Sequence, residues 1–317
     1  LKPAENTNLA SLRLAELAIE AGIPAGVLNV VTGLGAEAGA ALGRHPHVDK
    51  ITFTGSPVVG RMFQEYAGQT NGKQVALELG GKSPHIVFDD VEDIEACAVS
   101  VAWGIFYNAG QTCHGGSRLL VHESVHDKLL EATIRVAKSL KLGDTLDEST
   151  QVSAIVSEKQ LERVLGYLEI AKEEKAKVAM GGSRFTPAAG LENGYFVEPT
   201  ILDNVENSSR IGQEEIFGPV LAVTTFKTVA EAVQLANDTE YGLAASVWTK
   251  DITRAHKVSR AVRAGTVWVN TFDVADIIVP FGGFKSSGFG RDRSLHALDS
   301  YTALKTTWIN LGSQEIS

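Results

Sequence analysis

The sequence predicts an α/β protein with parallel sheets in two successive units, and two observations carry that prediction. Apolar β-branched runs alternate with amphipathic stretches from Leu9 to Leu79, and a second series of the same kind runs from Val220 to Asn270. Parallel strands need a crossover between them, which a helix supplies. Taken in order, Leu9–Ala21 has helical spacing and stops at "GIP"; "VLNVV", Val27–Val31, reads as a buried strand and "AEAGAALG" as a helix. "KITFTG" is a strand, "VVGRMFQEYAG" a helix and "QVALEL" a strand. Helical patterns continue over Ile94–Asn108, Val125–Leu140 and Glu158–Glu174, among β-branched runs such as "RLLV" and "YFVEPTIL". The second series sets the strands "VLAVTTF", "AASVWT" and "GTVWVN" around helices at Val229–Asn237 and Ile252–Val262. Two glycines and a proline in "LGGKSP", Leu79 to Pro84, mark the switch between the units.

A chain of 317 residues, 44% hydrophobic and 21% charged, has room for two compact domains and is too apolar for disorder. Its net charge of −9, with no Lys/Arg-rich run, argues against nucleic acid or an anionic membrane as partner and favours a small molecule. No apolar run approaches the roughly 18–20 residues of a membrane span, and the opening "LKPAENTN" has no signal-peptide character, so the cytoplasm is the expected location. No internal repeat is evident. The chain opens at Leu1 within what reads as the middle of an α/β domain, so the expectation is a C-terminal portion of a longer protein.

The two cysteines are too few for a disulfide framework and are read singly. Cys97 shares helical spacing with Ile94, Ala98, Val101, Ala102 and Ile105, which places it in the core. Cys113 stands in "AGQTCHGGSR", where little is available to pack against it. An ordinary thiol is only about 3% ionised at pH 7, so a nucleophilic cysteine needs an environment contributing on the order of 2 kcal/mol. Gly110, Gly115 and Gly116 let backbone amides approach the sulfur and any oxyanion formed beside it. Glu78, ending an apolar strand in "LELGGKSP", is a carboxylate whose desolvation would suit it to general-base work. "QEEIFGPV" sets Glu215 and Phe217 beside a Gly-Pro turn, and "PFGGFKSSG" is a further glycine-rich stretch.

The nucleotide signals are weaker. "GLGAEAG" is spaced G-x-G-x-x-x-G rather than as the dinucleotide fingerprint. In "FTGSPVVG", Gly55 and Ser56 stand where a strand gives way to a helix, which suits a phosphate and equally suits Ser56 as a plain N-cap. Lys2 and Glu5 in "KPAE" are ribose ligands or solvated surface charges.

The segments around Glu78, Cys113, Glu215 and "PFGGFKSSG", in this order, resemble the NAD(P)-dependent aldehyde dehydrogenase superfamily from Lys2 to about Asn310. The resemblance implies a Rossmann-like parallel-sheet cofactor domain over residues 1–80, incomplete at its start, and an α/β catalytic domain over 81–286. It further implies a return segment over 287–317 whose "YTALKTTWINL" serves as an oligomerisation strand. It implies that the Cys113 sulfur attacks an aldehyde, hydride passes to a nicotinamide, and Glu78 activates water to hydrolyse the thioester. By the same resemblance Lys2 and Glu5 contact the adenosine ribose, Gly55 and Ser56 a phosphate, Phe217 the nicotinamide and Glu215 its ribose, with Leu79 a further cofactor-binding residue. A carboxylate at the 2′-hydroxyl favours NAD, and Lys2 leaves NADP open. A homodimer or tetramer and no metal are implied. The family's oxyanion-hole asparagine lies N-terminal to "KPAE", and nothing in this sequence replaces it.

Trp103 and Tyr107, with Phe106, lie just before Cys113 and are candidates for a substrate passage or for plain core. Asp273 and Asp276 in "NTFDVADIIVPFGG" would attract a cationic tail, and with "SLHALDSYTALKTTWI" they resemble bacterial enzymes acting on polyamine-derived aldehydes, including 4-guanidinobutyraldehyde and γ-glutamyl-γ-aminobutyraldehyde dehydrogenases. Other classes fare worse. "HESVH", His122 to His126, matches a zinc-protease pattern, but "RLLVH" reads as a strand, with Ser124 and Asp127 as a capping pair starting the helix beyond it. A cysteine hydrolase needs a histidine base, and His114 is expected to point away from the sulfur. A non-catalytic nucleotide-binding fragment is the remaining alternative.

Overall fold

The computed structural model describes residues 1–187 and 190–312, so the last five residues of the 287–317 return segment lie outside the described residues. Among the described residues the strands form two sheets. The smaller holds β1 (Lys50–Thr54) parallel to β2 (Gln74–Glu78), with β10 (Gly288–Phe289) antiparallel on the other side of β2. The larger holds β5 (Lys177–Met180), β6 (Thr200–Asp203), β7 (Val220–Phe226), β4 (Arg118–His122), β3 (Pro84–Val87), β8 (Ala244–Trp248) and β9 (Thr266–Val269), in that spatial order. Its pairings are parallel except the edge pair of β5 and β6.

Strand periodicity divides the larger sheet's side chains between two cores. Val87, Leu119 and Val121 join one core with α4 (Ile94–Phe106), α5 (His126–Ser139) and α6 (Glu158–Glu173). Ile86 and Leu120 face the opposite core, formed with α8 (Val229–Asn237) and α9 (Ile252–Ala261). Central strands covered on both faces read as unbroken apolar runs, which is why β4, β7 and β8 were legible, whereas β3 was not among the expected strands. Cys97 is fully buried in the first of these cores, as its spacing requires. The helices start on side chains that accept from free N–H groups: Asp93 from Ala96, Ser157 from Gln160, Thr228 from Glu231 and Asp251 from Thr253 and Arg254. Against the smaller sheet, α3 (Pro57–Gln69) packs Phe63 and Tyr66 on Ile51, Phe53 and Val75. None of the described helices is long and apolar enough to cross a membrane.

Three expectations change, and a fourth stretch stands without regular structure. Val27–Val31 forms no strand: beyond a local turn bond from Val27 N–H to Pro24 O at 3.2 Å, its pairing among the described residues is Leu1 N–H donating to Asn29 O at 2.6 Å and Val31 N–H donating to Leu1 O at 2.9 Å, and Val27 is 69% exposed. A buried strand needs a ladder on each side, and two bonds to one residue do not make one. "AEAGAALG" opens with a π-helical turn, Gly35–Gly39, before α2 (Ala40–Arg44). Ser124 does not cap α5; the cap position is Val125, and the Ser124 hydroxyl bonds His122 Nδ1 at 2.8 Å. The "YTALKTTWINL" stretch has no regular structure beyond a turn at Tyr301, and Leu304, Trp308, Ile309 and Leu311 are exposed.

Candidate active site

The ends of the two sheets come together where the chemistry-bearing segments lie. Glu78 closes β2 and Gly55–Ser56 follow β1, while Gly81–Ser83, Cys113–Ser117 and Glu215–Pro219 lead into β3, β4 and β7. At β1 and β2 these are carboxyl ends, where α/β folds leave a ligand crevice, whereas the loops into β3, β4 and β7 stand at amino ends. Gly55 N–H donates to Glu78 O at 3.0 Å, which ties the Ser56 turn to the end of β2. Ser56 caps α3, accepting from Val59 N–H at 3.4 Å, so the N-cap reading is realised and the helix N-terminus stands at the strand ends.

Ser287 staples the sheets. Its hydroxyl donates to Gly80 O at 2.7 Å and accepts from Gly242 N–H at 3.0 Å, while its carbonyl accepts from Leu79 N–H at 2.9 Å. Leu79, 5% exposed, packs where a Cβ on Gly60 of α3 would come within 2.8 Å of it. Glu78 is 6% exposed, and among the described residues its Oε2 has no hydrogen-bond partner. Burial pushes its pKa up to about 8; Asp292 adds to the shift and Arg291 opposes it. Gly282 has φ +157 and leaves no room for a Cβ, which would fall 2.8 Å from Glu78 Oε1.

Glu215 reaches across to the same loop, with Gly81 N–H donating to its Oε1 at 3.1 Å. Gly80 lies so close beneath that carboxylate that a side chain there would collide with it. Burial raises the Glu215 pKa, against the Gly81 N–H, Arg163 and Lys82. Phe217 has left-handed backbone, φ +58, and its carbonyl accepts from Gln160 Nε2 at 2.8 Å. Gly81 also packs on the cysteine loop, since a Cβ there would lie 2.5 Å from Cys113 O. A cleft lined by Gly81, Ile105, Thr112, Glu215, Phe217 and Gly218 runs between these loops.

Cys113 is half-buried, and its Sγ lies 4.0 Å from His114 Nδ1. The expectation that His114 points away is corrected: its Nε2 bonds Asp273 Oδ1 at 2.8 Å, and that bond turns Nδ1 toward the sulfur. Trp268, Phe272 and Phe281 surround the imidazole with ring centroids 5.9–6.3 Å away. Burial works against the charged ring, but the Asp273 carboxylate and Cys113 together overcome it and push its pKa up to about 9.

Just before α1 (Asn8–Glu20), Glu5 Oε1 accepts from Gly35 N–H at 2.6 Å and lies 3.8 Å from Lys2 Nζ. Its own N–H, that of Gly35 and the Lys2 charge hold the carboxyl below the usual range, so it is anionic. Trp103 packs on the large core, Phe106 is fully buried within it, and Tyr107 is 55% exposed. Asp276 is exposed and its Oδ1 accepts from Ile278 N–H at 3.1 Å, whereas the Asp273 carboxylate is engaged by His114. His122 ends β4 and α5 begins at His126, so the "HESVH" histidines do not share a helix. Sequence reasoning missed Ser287, His114 as a partner of Asp273, and the Trp268–Phe272 pair. The aromatic run "WVNTF" before the acidic loop was the available signal for the last of these; Ser287 and His114 act through tertiary contacts that leave no local pattern.

Residues 1–307 match the aldehyde dehydrogenase family. The chain is 50% identical over 311 residues to the aminoacetaldehyde dehydrogenase of Pseudomonas aeruginosa, covering 98% of this chain and 61% of that protein. A crystal structure of the γ-glutamyl-γ-aminobutyraldehyde dehydrogenase of Burkholderia cenocepacia superposes with a TM-score of 0.93 at 52% identity, covering 97% of this chain and 61% of that one. An indole-3-acetaldehyde dehydrogenase solved with NAD+ superposes with a TM-score of 0.95 at 51% identity, over 98% and 62% of the two chains. The chain belongs to the aldehyde dehydrogenase family and spans about three-fifths of the length of these relatives.

Proposed function

We propose that this chain carries the catalytic machinery of an NAD-dependent aldehyde dehydrogenase that oxidises an amino- or guanidino-aldehyde to its carboxylate. The observation that supports this best is Glu78: a buried carboxylate with an unpartnered oxygen, three residues before a glycine that packs on the Cys113 carbonyl. The Cys113 sulfur adds to the aldehyde carbonyl, and oxidation leaves a thioester on it. Glu78 accepts a proton from water as that water attacks the thioester, and the thiolate leaves. This splits one hard oxidation into two easier steps.

NAD supplies the hydride acceptor when bound. The residues present fit it: an anionic Glu5 beside Lys2 and the Gly35 turn for the adenosine ribose, Gly55 and Ser56 at a helix N-terminus for phosphate, and Leu79, Glu215 and Phe217 at the nicotinamide end. Residues 1–80 serve as the cofactor unit and 81–286 as the catalytic one. Trp103 and Tyr107 flank the approach to Cys113. The exposed Asp276 attracts a cationic tail, a reading in keeping with the name of the relative called aminoacetaldehyde dehydrogenase. The 301–311 stretch pairs with a second copy, giving a homodimer or tetramer.

The test is NADH production by the full-length gene product across a panel of neutral and cationic aldehydes, repeated with Asp276→Ala. Removing one exposed charge pair, near 1 kcal/mol, raises KM for amino- and guanidino-aldehydes about fivefold and leaves KM for hexanal unchanged. No NADH from any aldehyde overturns the activity, and equal effects on both substrate classes overturn the cationic preference.

A further inference from the structure

We propose that His114, clamped by the positioning residue Asp273, is a catalytic base that takes the proton from Cys113 and holds the sulfur as a thiolate, so that Cys113, His114 and Asp273 form a working triad. The inference rests on the reading of Cys113 as nucleophile and adds to it the group that activates the thiol.

Adjacency alone does not bring these groups together, because a histidine next to a cysteine is free to turn its ring elsewhere. Here the ring is fixed at both ends. Nε2 bonds Asp273 Oδ1 at 2.8 Å and Nδ1 stands 4.0 Å from Cys113 Sγ. Since a carboxylate only accepts, the proton on Nε2 is assigned to the bond with Asp273, and the neutral ring turns its Nδ1 lone pair toward the thiol. The S–H bond breaks, an Nδ1–H bond forms, and the imidazolium is left between thiolate and carboxylate. Trp268, Phe272 and Phe281 wall the ring, which is only 19% exposed, so the charges gain from reduced solvent screening. The titratable groups facing it are Cys113 on its own loop and Asp273 on the loop after β9. His85 packs on Phe272 and Arg293 on Phe281, the rings that also contact His114. The high affinity of the ring for a proton agrees with this arrangement. Glu78 is thereby left free to serve water.

Alkylation of the full-length protein by iodoacetamide tests this without aldehyde or cofactor. Complete ionisation raises the thiolate fraction about thirtyfold at pH 7, and the lower basicity of such a thiolate takes back part of that gain. The expected result is that His114→Phe and Asp273→Asn each slow Cys113 labelling about five- to tenfold near pH 7, with rates converging on the unmutated protein near pH 10. Unchanged rates, or a uniform loss at every pH, overturn the proposal, because a merely structural role would act without regard to pH. Buried Cys97 reports folding: its labelling marks a misfolded variant. In the unmutated protein, alkylating Cys113 must lower the NMR titration midpoint of His114, a result needing no variant; an unmoved midpoint also overturns the proposal. Loss of NADH production with the alkylation pattern intact counts against the dehydrogenase reading alone.

Discussion

Burial of one carboxylate sets the pH behaviour expected at the residue scale. Glu78 has its folded-state pKa raised to about 8 from an ordinary value of 4.5, so the folded chain favours the neutral acid. The stability this confers is fully present below about 4.5 and is lost as pH rises through about 8. Glu78→Gln therefore melts progressively higher than the unmutated protein as pH climbs through that window, and a difference independent of pH would contradict the assignment. For chemistry the sign reverses, since only the ionised form accepts a proton. Thioester hydrolysis should rise as pH passes through about 8, and Glu78→Gln should remove the rise while slowing that step about 10²- to 10⁴-fold. The environment of Glu78 was legible because an acid ending an apolar run beside two glycines has few ways to be solvated. His114 was misjudged because its direction depends on Asp273, 159 positions away.

Elements were legible where their signals were local. The α4 and α9 helices begin at Asp93 and Asp251 because those side chains accept from the free N–H groups, a rule readable in sequence. Val27–Val31 failed because a strand's burial depends on neighbouring strands, and the two-residue β10 escaped notice because its only signature is its pairing with β2. The glycines of "LGGKSP" and "PFGGFKSSG" were seen as turn residues; the structure shows Gly80, Gly81 and Gly282 as close approaches beneath Glu215, Cys113 and Glu78. Ser287 joins these loops, and Ser287→Ala leaves Gly80 O and Gly242 N–H without that partner. Each buried unpaired group costs about 1–3 kcal/mol, so a drop of several degrees in Tm is expected by calorimetry. A melt identical to the unmutated protein would mean the staple holds nothing.

On the scale of the whole molecule, the two-sheet architecture followed from the alternation of strands and helices, whereas the surfaces left open did not. Leu304, Trp308, Ile309 and Leu311 are each at least 73% exposed, more apolar surface than a lone chain usually leaves in one stretch. If this stretch pairs between copies, sedimentation of the full-length protein will show a dimer or tetramer, and shortening the chain after Tyr301 will shift it to smaller species; an unchanged distribution would refute the pairing. The proposed chemistry depends on the Cys113 sulfur as the atom that carries the substrate. The most direct measurement is the mass of Cys113 peptides from full-length Glu78→Gln protein quenched after mixing with aldehyde and NAD, with NADH followed in the same reaction. A stoichiometric burst of NADH with an acyl adduct on Cys113 is predicted. Continued turnover with Cys113 unmodified, or an adduct at another residue, would contradict it.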